Sequence, residues 1–169
     1  MKVILYMATT INGYIAKPDG NTEWVCETDW KVLQKQLIET DAVIMGRKTY
    51  EISEDDFPYG DCLNVVLTKN KSLLKDTNNQ FFTNLDPEQL LEKLGKRRKQ
   101  NILIIGGGEI NKLFVENGLI DELIISVHPL ILGEGIKIFE HFGKQVDLDF
   151  VGSTEMEEGL VQLHYKIKR

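Results

Sequence analysis

Cysteine is scarce in this 169-residue chain: there are two, Cys26 and Cys62, and they form no CxxC pair. That excludes a disulfide scaffold and a thiolate metal site as organising principles, and free thiols in a reducing cytoplasm are expected. Histidine is nearly as rare. His128, His141 and His164 have no metal-ligand spacing, so no bound metal is expected, and His128, just before Pro129, reads as structural. There is no HxE…PCxxC deaminase signature, no Gly-x-Ser-x-Gly elbow and no Walker lysine motif. No apolar run approaches the length of a membrane span, and MKVILYMATT at the start is too short and polar for a secretory core. Repeats, low-complexity tracts and Pro/Ser-rich linkers are also missing, so one domain over residues 1–169 is expected. A net charge of −6 argues against nucleic acid or an anionic membrane as partner. The one basic cluster, Lys96 to Lys99, follows a helical pattern and reads as cations complementing a helix C-terminus.

What is present is a succession of buried strands and amphipathic helices. Residues 2–9 read as a strand, followed by the turn signals Asn-Gly and Pro-Asp-Gly. From Thr28 the spacing of Trp30, Leu33, Leu37 and Ile38 predicts a helix with one face on the core. Asp41 to Met45 reads as a buried strand, and Gly46-Arg47 opens a brief helix holding Thr49 and Tyr50. Further strands are expected at 63–68, 80–83, 101–106 and 121–127, with a closing hairpin of 147–155 and 160–167. Helices are expected after Asp86-Pro87 and from Glu109 to Asn117, the latter stopped by Gly118. Early alternation of strand and helix implies parallel crossovers, and a terminal hairpin implies antiparallel edges. The predicted fold is α/β: a mixed, mostly parallel sheet flanked by helices on both faces. Ligands on such sheets sit outside the carboxyl ends of the strands.

Four segments fall there: ATTINGYIA, MGRKT, LTKN and GGGE. IIGGGEI, residues 104–110, fails the Gly-x-Gly-x-x-Gly fingerprint because its third position is Asn111. Arg47 and Thr49 follow a glycine at a strand-to-helix turn, which suits an anion or, for Arg47, a surface ion pair. Thr68 and Lys69 close a strand with a hydroxyl and an ammonium, suited to a phosphate monoester or simply to solvent. Asp29 lies in the first turn of its helix, beside Trp30 and five residues after Trp24. It reads either as a helix-terminus carboxylate or as an acid that passes a proton to a substrate nitrogen.

Taken in order, TINGYIA, DAVIMGRKTYE, NVVLT, ILIIGGGEINKLF and HPLILGEGIKIF resemble the dihydrofolate reductase-like superfamily. The similarity is to small standalone proteins akin to the reductase domain of riboflavin-pathway bifunctional deaminase-reductases. It implies an NADPH-dependent, cytoplasmic, homodimeric reductase of a pyrimidine- or pterin-type heterocycle, of the 5-amino-6-(5-phosphoribosylamino)uracil reductase kind. By position, the resemblance assigns Ala8, Ile15 and Ala16 to the nicotinamide border. Gly46, Arg47, Lys48 and Thr49 fall to the pyrophosphate and adenosine ribose, and Leu67, Thr68 and Lys69 to the 2′-phosphate. Gly106, Gly107, Gly108, Glu109 and Ile110 form the backbone approach. Asp29 would be the proton-supplying acid, with Trp24, Trp30 and Asn12 on the substrate side. Cys62 stands where dihydrofolate reductases carry the arginine for the folate glutamate tail, which disfavours folate as substrate. Two alternatives remain open at this level: a dihydrofolate reductase of low activity, and a non-catalytic NADPH-binding dimer. A side chain at Gly106 or Gly107 is expected to weaken cofactor binding before folding.

Overall fold

The protein was analysed as a computed structural model describing residues 1–168, the Glu54 side chain excepted. Arg169, the last residue of the expected domain, lies outside the described residues. In chain order the elements are β1 (Lys2–Thr10), β2 (Tyr14–Ala16), α1 (Glu27–Ile38), β3 (Ala42–Gly46) and α2 (Arg47–Ile52). Then come β4 (Leu63–Leu67), β5 (Lys75–Asp76), β6 (Gln80–Thr83), α3 (Pro87–Lys96), β7 (Asn101–Ile104) and α4 (Gly108–Glu116). The chain finishes with β8 (Glu122–His128), β9 (Ile136–Lys137), β10 (Leu148–Glu155) and β11 (Val161–Ile167).

Nine strands form one sheet in the order β10-β11-β8-β1-β7-β3-β4-β6-β5. The run from β8 to β6 is parallel throughout, while β11, β10 and β5 join antiparallel at the edges. This is the mixed, mostly parallel sheet expected from the order of elements.

Strand alternation divides the core into two layers. Val3, Leu5 and Met7 of β1 face the layer containing Leu90 and Leu94 of α3 and Phe114 and Val115 of α4. Tyr6 of β1 faces the other layer, with Val43, Met45, Val66 and Leu37 of α1. Helices therefore cover both faces. The Asp86 carboxylate accepts from Gln89 N–H at the start of α3, with Pro87 just inside, and this starts the helix as the sequence predicts.

Three expectations need correction. Ile38 does not join the core face of α1; it is 83 % exposed, because adjacent Leu37 takes the inward position of the last turn and Ile38, about 100° further round the helix, faces out. The strand expected over 101–106 stops at Ile104, since Ile105 and Gly106 already turn toward the next helix. The segment after Asn12-Gly13 is not only a turn: Tyr14–Ala16 forms β2 and pairs with β9 in a separate two-stranded sheet.

That small sheet is braced on both sides. Ile138 N–H donates to Gly13 O at 2.9 Å, and Asn111 Nδ2 of α4 donates to Ile138 O at 2.8 Å. Residues 135–138 thus cross both the first loop and the start of α4. The contact is so close that a Cβ on Gly108 would lie 2.3 Å from Lys137 O, and one on Gly135 would lie 2.3 Å from Ala16 O.

Candidate functional site

The carboxyl ends of β1, β7, β3 and β4 lie side by side in the sheet, so the loops that follow them share one rim. Gly46 N–H donates to Gly106 O at 2.9 Å, tying the β3 and β7 loops together. A Cβ built on Gly107 would lie 3.4 Å from Thr49 Oγ1 and 3.8 Å from Ile15 Cδ1. Segments more than ninety positions apart in sequence therefore meet around one uncovered stretch of backbone. Gly107 is also the N-cap of α4 and supplies no side chain to satisfy the helix's first N–H groups. Those groups have no intrahelical acceptor and carry the positive end of the helix dipole, so this is a place for an anionic group.

The glycines of the triplet do different work. Gly106 has φ +99°, a region that side chains rarely adopt, and its Cβ would press on Met7 Sδ at 3.1 Å. A side chain there strains the fold itself, which corrects the expectation that Gly106 substitutions act on cofactor binding first. Gly108 is closed by Lys137 O, as described above. Of the three, only Gly107 combines ordinary backbone angles with neighbours at ordinary contact distance from an added Cβ. The Gly106–Gly107 peptide is cis.

The other expected cofactor residues flank this seat. Ile15 and Ala16 are buried on β2, and Ala8 is half-buried near the end of β1, opposite Ser126. The Ile110 side chain reaches Gly46, where a Cβ would lie 2.9 Å from its Cγ1. Leu67 and Thr68 are buried at the end of β4, with Thr68 Oγ1 accepting from Asn70 N–H, and Lys69 beside them is exposed. Lys48 is exposed, and Glu109 places an exposed carboxylate in the first turn of α4. Arg47 pairs with Glu51 one turn along α2, Nη1 lying 2.5 and 2.7 Å from the two carboxylate oxygens. The surface ion pair read from its sequence context is thus formed, and any ligand taking Arg47 must displace Glu51.

Asp29 is buried to 3 % exposure in the first turn of α1. It makes no capping bond. The N-cap, Cys26, turns its N–H to His128 Nε2 at 3.3 Å, leaving the Asp29 side chain free of the helix terminus. Asp29 Oδ1 instead accepts a hydrogen bond from Tyr6 Oη at 2.6 Å. Burial, then the neighbouring Asp29 charge, push the Tyr6 phenol far above its ordinary range, so the hydroxyl remains a donor.

The expected substrate-side residues are spread out. Trp24 lies edge-on to His128, ring centroids 5.1 Å apart, and its buried Nε1–H has no acceptor. An orphaned buried donor of this kind marks a site for a ligand or an ordered water. Trp30 turns to the other side of α1 and packs on Tyr59 with centroids 6.1 Å apart. It lines a groove of about 570 Å³ together with Gln34, Ile38, Asp56, Asp61 and Cys62. Asn12 is occupied: Oδ1 accepts from Thr10 Oγ1, and Nδ2 donates to Leu132 O at 2.6 Å. Its role in this structure is to fasten the 129–132 loop. Tyr6, which bonds Asp29, and Ser126 and Gln162, which follow it in one hydrogen-bonded chain, escaped the sequence reading. Their one signal is a polar group at a strand position where neighbours on both sides are apolar. Among the described residues no group of histidine, cysteine or acidic side chains is placed to hold a metal.

Comparison with known proteins agrees with this architecture. Residues 1–162 match the model of the RibD C-terminal domain. The uncharacterized protein YwjB of Bacillus subtilis (strain 168) is 34 % identical over 170 residues, covering 97 % of each chain. A putative riboflavin biosynthesis protein from Shewanella sp. PV-4 superposes with a TM-score of 0.84 at 24 % identity, with both chains fully covered. A diaminohydroxyphosphoribosylaminopyrimidine deaminase/5-amino-6-(5-phosphoribosylamino)uracil reductase from Thermotoga maritima superposes at 0.81 with 16 % identity. That match covers 99 % of this chain and 56 % of the longer one. The two structural likenesses establish the fold, and the family match extends over nearly the whole sequence: the chain belongs to the RibD C-terminal domain family.

Proposed function

We propose that the protein is a cytoplasmic NADPH-dependent reductase acting on a C=N or iminium bond of a pyrimidine-type substrate. The observation that carries this reading is the uncovered backbone at Gly107, set between Ile15 and Thr49 at the start of α4. The residues present fit the cofactor. The α4 terminus and the Gly46–Thr49 turn would hold its pyrophosphate, Thr68 and Lys69 its 2′-phosphate, and Ala8, Ile15 and Ala16 its nicotinamide end. When bound, NADPH supplies the hydride.

The chain's own contribution is to position the substrate, exclude water and manage the proton. Reducing C=N requires a proton at nitrogen as well as a hydride at carbon. Asp29, buried and released from capping, is the protein group available to exchange that proton directly or through one water. The Trp24 indole N–H offers a second polar contact to a substrate acceptor. Folate is disfavoured because the groove beside α1 carries Asp56 and Asp61 and no basic side chain among its lining residues. We also propose a homodimer formed through β10, an edge strand that exposes Leu148, Phe150 and Val151.

The test is a titration with NADPH and NADH followed by nicotinamide fluorescence, then NADPH oxidation with 5-amino-6-(5-phosphoribosylamino)uracil. Tight NADPH binding is expected, with turnover that falls in Asp29→Asn. Absence of binding below millimolar NADPH refutes the reductase reading. Binding with turnover unaffected by Asp29→Asn refutes the role of the acid. Sedimentation at several concentrations decides the dimer.

A further inference from the structure

Tyr6 lies in the middle of β1, buried, between Leu5 and Met7, which face the opposite layer. A tyrosine so placed must satisfy its hydroxyl inside the protein. It does so on both sides. Its oxygen lies 2.6 Å from Asp29 Oδ1 and 3.3 Å from Ser126 Oγ of the neighbouring β8. Ser126 Oγ in turn accepts from Gln162 Nε2 of β11 at 3.2 Å.

The proton directions follow from this. Gln162 donates to Ser126, so the Ser126 hydroxyl proton is free to point at Tyr6, and the Tyr6 proton goes to Asp29. Every donor in the chain points toward the carboxylate, an arrangement in which each bond polarises the next. The groups facing Tyr6 are Asp29 and Cys26 from the start of α1 and neutral Ser126 from β8; none is a cation. Asp29 Oδ2 makes no hydrogen bond among the described residues.

We propose that Tyr6, held by Ser126 and Gln162, is a positioning residue for Asp29: it engages Oδ1 and leaves Oδ2 as the one oxygen through which the proton is exchanged with the substrate nitrogen. This rests on the reductase reading and narrows it, because the proton for the reacting nitrogen then passes through one oxygen of fixed position.

Two measurements decide it. In the ligand-free protein, proton NMR is expected to show a low-field, slowly exchanging hydroxyl resonance that disappears in Tyr6→Phe and moves upfield in Asp29→Asn, where a neutral acceptor replaces the carboxylate. In turnover with 5-amino-6-(5-phosphoribosylamino)uracil, Tyr6→Phe should lower kcat by roughly 10- to 100-fold, the scale of a misplaced catalytic group. NADPH affinity should be unchanged. Ser126→Ala, a smaller perturbation, should act in the same direction to a lesser extent and covers the case in which Tyr6→Phe does not fold. Absence of the resonance in the wild type overturns the proposal, as does a folded Tyr6→Phe protein with the wild-type kcat. A wild type that binds no NADPH removes the reductase reading and the catalytic half of the proposal with it. Wild-type turnover that is insensitive to Tyr6→Phe removes the proposal and leaves the reading standing.

Discussion

Gly107→Ala separates cofactor binding from folding. In this structure the new methyl meets Thr49 Oγ1 at 3.4 Å and Ile15 Cδ1 at 3.8 Å, both ordinary contacts, and the backbone φ of −77° suits alanine. Alanine is a poorer N-cap than glycine by roughly 0.5–1 kcal/mol. Restricting the unfolded chain returns about 0.4–1 kcal/mol. The two nearly cancel, and the melting temperature should stay within a few degrees of wild type. The methyl does occupy the space through which an anionic group reaches the first N–H groups of α4. Losing one charge-assisted bond of about 1.5–3 kcal/mol there raises Kd for NADPH by roughly 10- to 150-fold. Fluorescence titration beside thermal denaturation measures both quantities on one preparation. Gly106→Ala and Gly108→Ala are the controls. The first is strained at φ +99° by about 1–2 kcal/mol before any contact is counted. The second drives a Cβ into Lys137 O, so both should lose stability in the absence of cofactor. A folded Gly107→Ala protein that binds NADPH as tightly as wild type refutes the placement of the seat.

Lys69→Ala should weaken NADPH more than NADH, since the exposed ammonium beside Thr68 is assigned to the 2′-phosphate; equal losses on both cofactors would remove that assignment. Acid should unfold the protein through a small set of carboxylates. Burial raises the Glu122 carboxyl, but hydrogen bonds and charge from Lys2 and His164 outweigh it, and the net position is below the usual range. Asp41 is held low by the backbone N–H groups of Asn101 and then Gln100. Folded values below unfolded ones mean the stabilisation is complete above the ordinary carboxylate range and is lost as pH falls through the folded values, below about pH 4. Glu122→Gln with Asp41→Asn should flatten that decline in denaturant titrations from neutral pH to pH 3; an unchanged slope would refute it. Burial raises the Cys62 thiol, so an aromatic disulfide reagent should label half-exposed Cys26 first and reach Cys62 only on unfolding. Equal labelling rates would contradict the burial.

Much of the sheet was legible because its central strands are buried on both sides and read as near-continuous apolar runs, as in AVIM and, broken only by Asn64, LNVVL. Elements of two or three residues carry no periodicity: β2 and β9 exist only because segments far apart in sequence pair, and β5 only because the chain turns straight back on it at β6. Ile38 misled because adjacent Leu37 and Ile38 both fit the helical spacing, and only packing on the sheet decides which of them turns inward. The candidate site was legible as a set of loops and illegible as chemistry. Whether Asp29 caps its helix depends on which group meets the Cys26 N–H. That group is His128, 102 positions away. The Tyr6 partner of the acid is likewise a contact between a strand and a helix that share no local pattern.

The bracing at residues 135–138 has a consequence for exchange and for engineering. Because this short segment is bonded to Gly13 and to Asn111 and packs without clearance on Ala16 and Gly108, the first loop and the α4 start should open together. Amide hydrogen exchange should then report one protection energy for 13–16, 108–111 and 136–138, a single cooperative unit built from three separate stretches. Chain added at Gly133, which has open space around it, should leave that unit intact, whereas one added residue between 135 and 138 should release both halves of the cofactor rim at once.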